Sequence, residues 1–148
     1  MKPAEQAQKY FADNFSCSQS VLAAFAPNLG LSVDDSLKVA CAFGAGMGRT
    51  QQTCGAVTGA LMALGLKYGK GINDNNEKKE QTFAMTKILI DKFAQIHGSV
   101  NCRELLDGLN MNISDELECI QKEKMFETRC PNYVATAAQL VEQLFKAD

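Results

Sequence analysis

Residues 54–67 read Cys-Gly-Ala-Val-Thr-Gly-Ala-Leu-Met-Ala-Leu-Gly-Leu-Lys, an almost wholly apolar stretch with a small residue at every fourth position. On a helix these small residues form a stripe that lets another backbone approach closely; the stripe consists of Gly55, Gly59 and Ala63. Glycine inside a helix costs about 1 kcal/mol relative to alanine, so its presence here needs a packing reason. We therefore predict a helix from Cys54 to about Lys67, lying at the centre of a bundle or at a homodimer seam.

Helical periodicity also dominates the chain on both sides of this stretch, and strand-like alternation does not extend beyond four residues. The other predicted helices span about 3–15, 16–27, 32–43 and 77–96, with a short one from 101, a weakly patterned one within 114–126 and a last one at 131–146. A length of 148 residues fits one domain. We predict an all-α fold, a single-domain bundle of residues 1–148 with about five to seven helices and no significant sheet.

Three local patterns refine this map. Ser16 is followed three residues later by Gln19, which is the spacing of a capping box. The Gly-x-Gly-x-Gly run from Gly44 to Arg49 lacks the following Lys-Ser or Lys-Thr of a phosphate loop, so we predict a tight interhelical turn. His97 precedes a glycine at a predicted helix end, where a favourable interaction with the helix dipole is expected; a Cys–His catalytic pair is the less favoured alternative.

Charge and hydropathy exclude several classes of protein. The formal net charge of -2 argues against nucleic acid, because proteins that bind it concentrate Lys and Arg on one face. The N-terminal sequence lacks the apolar core of a secretory signal, and the most apolar segment, 56–66, is shorter than the ~18–20 residues that cross a bilayer. We expect a cytoplasmic protein without nucleic-acid or membrane partners.

The chain has six cysteines. In a reducing compartment, cysteines are more often catalytic, redox-sensing or metal-binding than cross-linked. Four of them fall at predicted helix starts, namely Cys17, Cys54, Cys102 and Cys130. Cys41 lies in an apolar context and is predicted to fill the core, whereas Cys119 lies in a polar helical stretch.

Helix starts favour the thiolate because their unpaired N–H groups carry partial positive charge. A helix end contributes only ~0.3–1 kcal/mol, whereas lowering a pKa by two units requires about 2.7 kcal/mol. We therefore expect nearby cations to assist the thiolates, and the candidates are Arg49, Arg103 and Arg129. For any single cysteine, an inert core role stays equally open.

Residues 54–59 form a Cys-Gly-Ala-x-x-Gly motif, preceded by Cys-Ser-Gln at 17–19 and followed by Cys-Arg-Glu-Leu-Leu at 102–106 and by Cys130. With these elements in this order, the chain resembles the C_GCAxxG_C_C family of redox-active proteins. The resemblance extends from the first predicted helix to the last, and Asp107, where the family often has glycine, is a minor departure. It implies a prokaryotic redox protein whose signature residues are Cys17, Cys54, Cys102 and Cys130, and it names no substrate.

The leading hypothesis is thiol–disulfide exchange with an unknown redox partner or small-molecule substrate. Because the chain has no Cys-x-x-Cys, any pair must form across the fold, and four cysteines leave three complete pairings open.

Two other hypotheses remain. The same four thiols, Cys17, Cys54, Cys102 and Cys130, would ligate an iron–sulfur cluster or zinc, although the paired spacing usual in such sites is absent. Alternatively, the chain is a non-catalytic interaction module that dimerises through the Gly55, Gly59 and Ala63 helix. Whether the protein is an enzyme stays open.

Overall fold

The computed structural model describes residues 1–147 and shows an all-α bundle, as predicted. In chain order its helices are α1 (Pro3–Ala12), α2 (Cys17–Phe25), α3 (Val33–Ala40), α4 (Gly44–Met47), α5 (Gly55–Tyr68), α6 (Asn76–His97), α7 (Cys102–Leu105), α8 (Ser114–Lys122), α9 (Met125–Thr128) and α10 (Cys130–Lys146). Short 3-10 turns follow α2 and α3, at Ala26–Leu29 and Cys41–Phe43. In place of a sheet, residues 1–147 contain an isolated antiparallel bridge between Thr53 and Asn101.

Helix α5 lies at the centre of the bundle and packs against α2, α6 and α10. Its side chains Ala56, Val57, Ala60, Ala63 and Leu64 are fully buried. The predicted stripe of small residues is buried within the chain, where Gly59 faces the backbone of Ser18 in α2. The central position is therefore confirmed, whereas the alternative of a homodimer seam along this stripe is wrong.

The predicted helix starts agree closely with the structure. Ser16 accepts a hydrogen bond from the backbone N–H of Gln19, and the Gln19 side chain accepts one from the backbone N–H of Ser16, so the capping box is present. Helix α1 ends earlier than predicted, because Asn14 adopts a left-handed conformation with φ of 75°. Gly98, with φ of 89°, ends α6 directly after His97.

The buried residues form two clusters. The larger one joins α1, α2, α5, α6 and α10, and it includes Cys54. The smaller one lies under α7, α8 and α9 and consists of Cys102, Leu106, Met111, Ile120 and Met125. Cys54, with Cys17 packed beside it, therefore belongs to the main core, whereas Cys102 belongs to the smaller cluster. None of the helices in residues 1–147 is both long and apolar enough to cross a bilayer.

Candidate functional site

The structure brings Cys17, Cys54, Cys102 and Cys130 together from four separate helix starts. Cys17, Cys102 and Cys130 are the first residues of α2, α7 and α10, and Cys54 occupies the position just before α5. Each of the other three thiols contributes to a Cys17 pKa well above its ordinary value, Cys130 through a side-chain hydrogen bond and Cys54, Cys130 and Cys102 through their charges. Cys54, Cys102 and Cys130 are buried, and Cys17 is half-buried. The four sulfurs therefore form one thiol cluster.

Close packing of α2 on α5 places Cys17 beside Cys54. A Cβ atom added to Gly55 would lie 3.0 Å from the backbone nitrogen of Ser18 and 3.1 Å from the Cβ of Cys17. One turn further, a Cβ on Gly59 would lie 2.6 Å from the carbonyl oxygen of Ser18. The two glycines of the Cys-Gly-Ala-x-x-Gly motif are thus needed to bring the start of α2 against the start of α5.

The bridge between Thr53 and Asn101 connects the segments that carry Cys54 and Cys102. The backbone N–H of Cys54 donates to the carbonyl of Val100 over 2.7 Å, and that of Cys102 donates to the carbonyl of Gln52 over 2.7 Å. Side chains alternate between the two faces of a paired segment. Cys54 and Cys102, each the residue after a bridge partner, therefore lie on the same face of the bridge.

A further set of contacts holds α7 against α10. Arg129 donates two hydrogen bonds to the carboxylate of Asp107, over 2.8 and 2.9 Å. The hydroxyl of Tyr133 donates to the carbonyl of Leu105 over 2.8 Å. Arg129 directly precedes Cys130, and Tyr133 lies three residues after it. These contacts therefore fix the start of α10 next to α7, the helix that begins with Cys102.

The segment before Cys54, which comprises α4 and the loop after it, has an unusual left-handed backbone that sequence reasoning predicted only as a turn. Positive φ angles occur at the non-glycine residues Ala45, Met47, Arg49 and Gln51. Such residues cost about 1–3 kcal/mol each and persist only where their surroundings fix them. In this loop the buried amide of Gln51 does so, donating to the carbonyl of Leu109 over 2.9 Å and accepting from the N–H of Met111 over 2.7 Å.

Gln51 was missed by sequence reasoning, since a glutamine in a polar loop carries no signal of burial. Its two amide hydrogen bonds span 58 and 60 residues of sequence. They tie the loop before Cys54 to the segment that follows α7. Gln51 is therefore a positioning residue for the thiol cluster.

Cys130 is the thiol of the cluster whose pKa lies below its ordinary value. The main cause is side-chain hydrogen bonding with Cys17, whose thiol donates to the Cys130 sulfur. The Arg129 guanidinium lowers the pKa of Cys130 further, whereas burial and the Glu127 carboxylate raise it. The same hydrogen bond, followed by burial and the charges of neighbouring thiols, holds the pKa of Cys17 well above its ordinary value.

The other two thiols are harder to ionise than predicted. Burial raises the pKa of Cys54 to about 11, although the backbone N–H groups at the start of α5 lower it. Burial, together with the charges of Cys54 and Cys130, raises the pKa of Cys102 to about 12. At Cys54 and Cys102, desolvation therefore outweighs the effect of the helix start on the pKa.

The predicted arginine assistance holds for one residue of three. Arg129 lowers the pKa of Cys130, as expected. The Nε of Arg103 instead donates to the carbonyl of Gly108 over 2.9 Å. Arg49 lines a surface groove, and its carbonyl accepts a hydrogen bond from Asn112.

The remaining predicted candidates lie outside the thiol cluster. Cys41 is exposed rather than buried, so the prediction that it fills the core is wrong; it begins a 3-10 turn that faces solvent. Cys119 is exposed on α8. His97 is the last residue of α6, as predicted, and its Nε2 hydrogen-bonds the hydroxyl of Thr136 over 2.9 Å. This contact gives His97 a packing role at the end of its helix.

A groove of about 790 Å³ adjoins the cluster. Ser16 and Pro131, the chain neighbours of Cys17 and Cys130, lie on its wall. The aromatic side chains Phe11, Phe15 and Phe126 also line it. The groove therefore offers an apolar surface beside Ser16 and Pro131, the chain neighbours of Cys17 and Cys130.

All six cysteines are unpaired thiols in this structure. Within residues 1–147, no set of three or more His, Cys, Asp or Glu side chains is arranged to hold a metal ion.

Comparison with known proteins identifies a matching family profile and a similar archaeal protein. The profile of the family described as "Putative redox-active protein (C_GCAxxG_C_C)" matches residues 15–144. An uncharacterized protein of Archaeoglobus fulgidus is 25% identical over 133 residues, which cover 82% of this chain and 88% of that protein. No solved structure gives a significant match.

Proposed function

The chain belongs to the C_GCAxxG_C_C family of redox-active proteins, and from this premise we propose that it performs thiol–disulfide exchange through Cys130 and Cys17. The observation that carries the proposal is the placement of Cys17 and Cys130 as the first residues of α2 and α10, where the Cys17 thiol lowers the pKa of Cys130. The attacking species in exchange is the thiolate. Cys130 is then the nucleophile, and Cys17 is the resolving thiol.

The first step joins the protein to a disulfide substrate. The Cys130 thiolate attacks one sulfur of the substrate disulfide, a bond forms between them, and the substrate S–S bond breaks. The departing sulfur leaves as a thiolate and takes up a proton. The apolar groove beside Ser16 and Pro131 provides the approach to the thiols for the substrate.

The second step releases the product. The hydrogen bond with Cys130 and the charge of its thiolate both raise the pKa of Cys17. Both causes disappear once Cys130 is held in a mixed disulfide, so Cys17 loses its proton more easily. Its thiolate attacks the Cys130 sulfur, forming the Cys17–Cys130 disulfide and expelling the second substrate thiolate. Two electrons pass to the substrate, which leaves as two thiols.

Equilibration with glutathione redox buffers tests the proposal. The full chain is used with Cys41→Ser and Cys119→Ser, since these exposed cysteines lie outside the cluster. Trapped samples are then mapped by mass spectrometry. We expect a Cys17–Cys130 disulfide. We also expect Cys17→Ser/Cys54→Ser protein to hold glutathione on Cys130, whereas the matched Cys130→Ser/Cys54→Ser protein holds little on Cys17. No disulfide between these residues, or equal trapping on both, would contradict the proposal.

A second candidate is an iron–sulfur cluster or zinc bound by Cys17, Cys54, Cys102 and Cys130. The convergence of these thiols favours it, because thiolates suit both kinds of site. Binding would require the sulfurs to rearrange, given that no metal-binding set of three is in place in the described chain. Metal analysis and an absorption spectrum of anaerobically purified protein distinguish this candidate, which predicts stoichiometric iron or zinc.

A further inference from the structure

We propose that Cys54 and Cys102 form a second dithiol, which re-reduces the Cys17–Cys130 disulfide inside the protein, so that the chain holds four electrons rather than two. This inference rests on the proposed function and deepens it. It selects one of the three pairings that four cysteines allow, namely Cys17 with Cys130 and Cys54 with Cys102.

The bridge between Thr53 and Asn101 is the first observation that pairs Cys54 with Cys102. The two cysteines follow the bridge partners, and their backbone N–H groups donate across it to Val100 and Gln52. Their side chains therefore leave the bridge on one face. No comparable backbone pairing joins the segments of Cys17 and Cys102 in residues 1–147.

Burial is the second observation. Cys54 is only 4% exposed, less than Cys102 and Cys130, which are each 9% exposed, so of these three thiols Cys54 is the least accessible to a bulky disulfide substrate. Cys17, in contrast, is half-buried. Because the most exposed thiol of the cluster belongs to the Cys17 and Cys130 pair, an external oxidant meets that pair before it meets Cys54.

The effects of the thiolate charges on one another's pKa agree with the pairing of Cys54 with Cys102. After burial, the charge of Cys54 is the largest cause that raises the pKa of Cys102, ahead of the charge of Cys130. The charge of Cys130 in turn raises the pKa of Cys54. Cys54 thus stands between the two pairs and is placed to pass electrons from Cys102 to Cys130.

The internal transfer balances without an external reagent. The Cys54 thiolate attacks Cys130 in the Cys17–Cys130 disulfide, a Cys54–Cys130 bond forms, and Cys17 leaves as a thiolate that takes up the proton lost by Cys54. With Cys54 uncharged in this bond, Cys102 loses its proton more easily and attacks the Cys54 sulfur. A Cys54–Cys102 disulfide forms, and Cys130 leaves as a thiolate that takes up the proton lost by Cys102.

Stepwise oxidation of the full chain with Cys41→Ser and Cys119→Ser tests the inference. Reduced protein is titrated anaerobically with oxidised glutathione, quenched with acid and alkylated, and its disulfides are mapped by mass spectrometry. We expect all four remaining thiols to be consumed, with Cys17–Cys130 and Cys54–Cys102 as the two disulfides. In Cys17→Ser/Cys130→Ser protein, the Cys54–Cys102 disulfide should form at least tenfold more slowly. The mapping of the parent protein requires no change in the cluster, so it stands even where that double variant folds poorly.

The outcomes separate the two proposals. A Cys17–Cys130 disulfide with Cys54 and Cys102 left as thiols would overturn this inference and leave the proposed function standing. A pairing of Cys54 with Cys17, or of Cys102 with Cys130, at full oxidation would also overturn the inference. Formation of the Cys54–Cys102 disulfide at an unchanged rate in the double variant would show that it needs no internal exchange. Absence of any disulfide would remove both proposals.

Discussion

Replacing Gly59 with alanine tests whether the approach of α2 to α5 assembles the site. The added Cβ would lie 2.6 Å from the carbonyl oxygen and 3.1 Å from the Cα of Ser18. Ordinary contact begins at 3.4 Å, so α2 must move away by about 0.8 Å, the difference between 3.4 and 2.6 Å. Both contacts are backbone atoms, which cannot rotate aside as a flexible side chain can.

Two opposing effects set the magnitude of this change. Overpacking in a well-filled core costs about 1–3 kcal/mol. Alanine in place of glycine regains up to about 1 kcal/mol of helix propensity. Because the contacts are with backbone atoms, we place the overpacking cost at about 2–3 kcal/mol, so the net loss for Gly59→Ala is about 1–2 kcal/mol of unfolding free energy. At about 2–4 °C per kcal/mol for a chain of this size, Tm falls by about 2–8 °C.

Gly65 in the same helix provides the matched control. A Cβ on Gly65 meets no atom within 4 Å, so Gly65→Ala gains helix propensity without a clash. We expect it to raise Tm by about 1–4 °C, corresponding to about 0.5–1 kcal/mol. Thermal unfolding followed by circular dichroism measures both variants. A Gly59→Ala protein as stable as wild type would refute the packing argument.

Three further predictions concern charge and hydrogen bonding. Arg129→Gln should raise the pKa of Cys130 by less than Cys17→Ala does, because the Cys17 hydrogen bond lowers that pKa more than the Arg129 charge does. The rate of Cys130 alkylation as a function of pH measures both pKa values, and a larger rise in Arg129→Gln would contradict this order of causes. Gln51→Ala leaves two buried backbone groups without partners and should cost about 2–4 kcal/mol in chemical denaturation, so a loss below 1 kcal/mol (about one such bond) would oppose the role assigned to Gln51. Burial lowers the pKa of His97, so the unfolded chain protonates His97 more readily than the folded chain does, and stability should fall as the pH drops below about 6.5. His97→Gln should flatten this dependence of Tm on pH. An unchanged slope would show that other groups cause the dependence.

The parts of the fold that could be predicted from sequence are those encoded locally. The Ser16 and Gln19 capping box and the start of α10 at Cys130 depend on neighbouring residues, and both agree with the structure. The stripe of Gly55 and Gly59 indicated a close backbone approach, but the sequence could not show that its partner is Ser18 in the same chain.

The ionisation of the thiols could not be predicted in the same way. A helix start is visible in the sequence, whereas the desolvation that raises the pKa of Cys54 and Cys102 depends on the whole core. The hydrogen bond between Cys17 and Cys130 joins residues more than a hundred positions apart in sequence. The bridge between Thr53 and Asn101 is likewise non-local, so the pairing of thiols requires the folded structure.

The relative reactivity of the thiols is the most direct test of the account. Reduced full-length protein is treated with a limiting amount of iodoacetamide at pH 7, and the alkylated residues are quantified by mass spectrometry. The account predicts that, within the thiol cluster, Cys130 reacts first and that Cys17→Ala slows it, because the Cys17 hydrogen bond lowers the pKa of Cys130. Alkylation of Cys54 or Cys102 ahead of Cys130, or an unchanged Cys130 rate in Cys17→Ala, would contradict it.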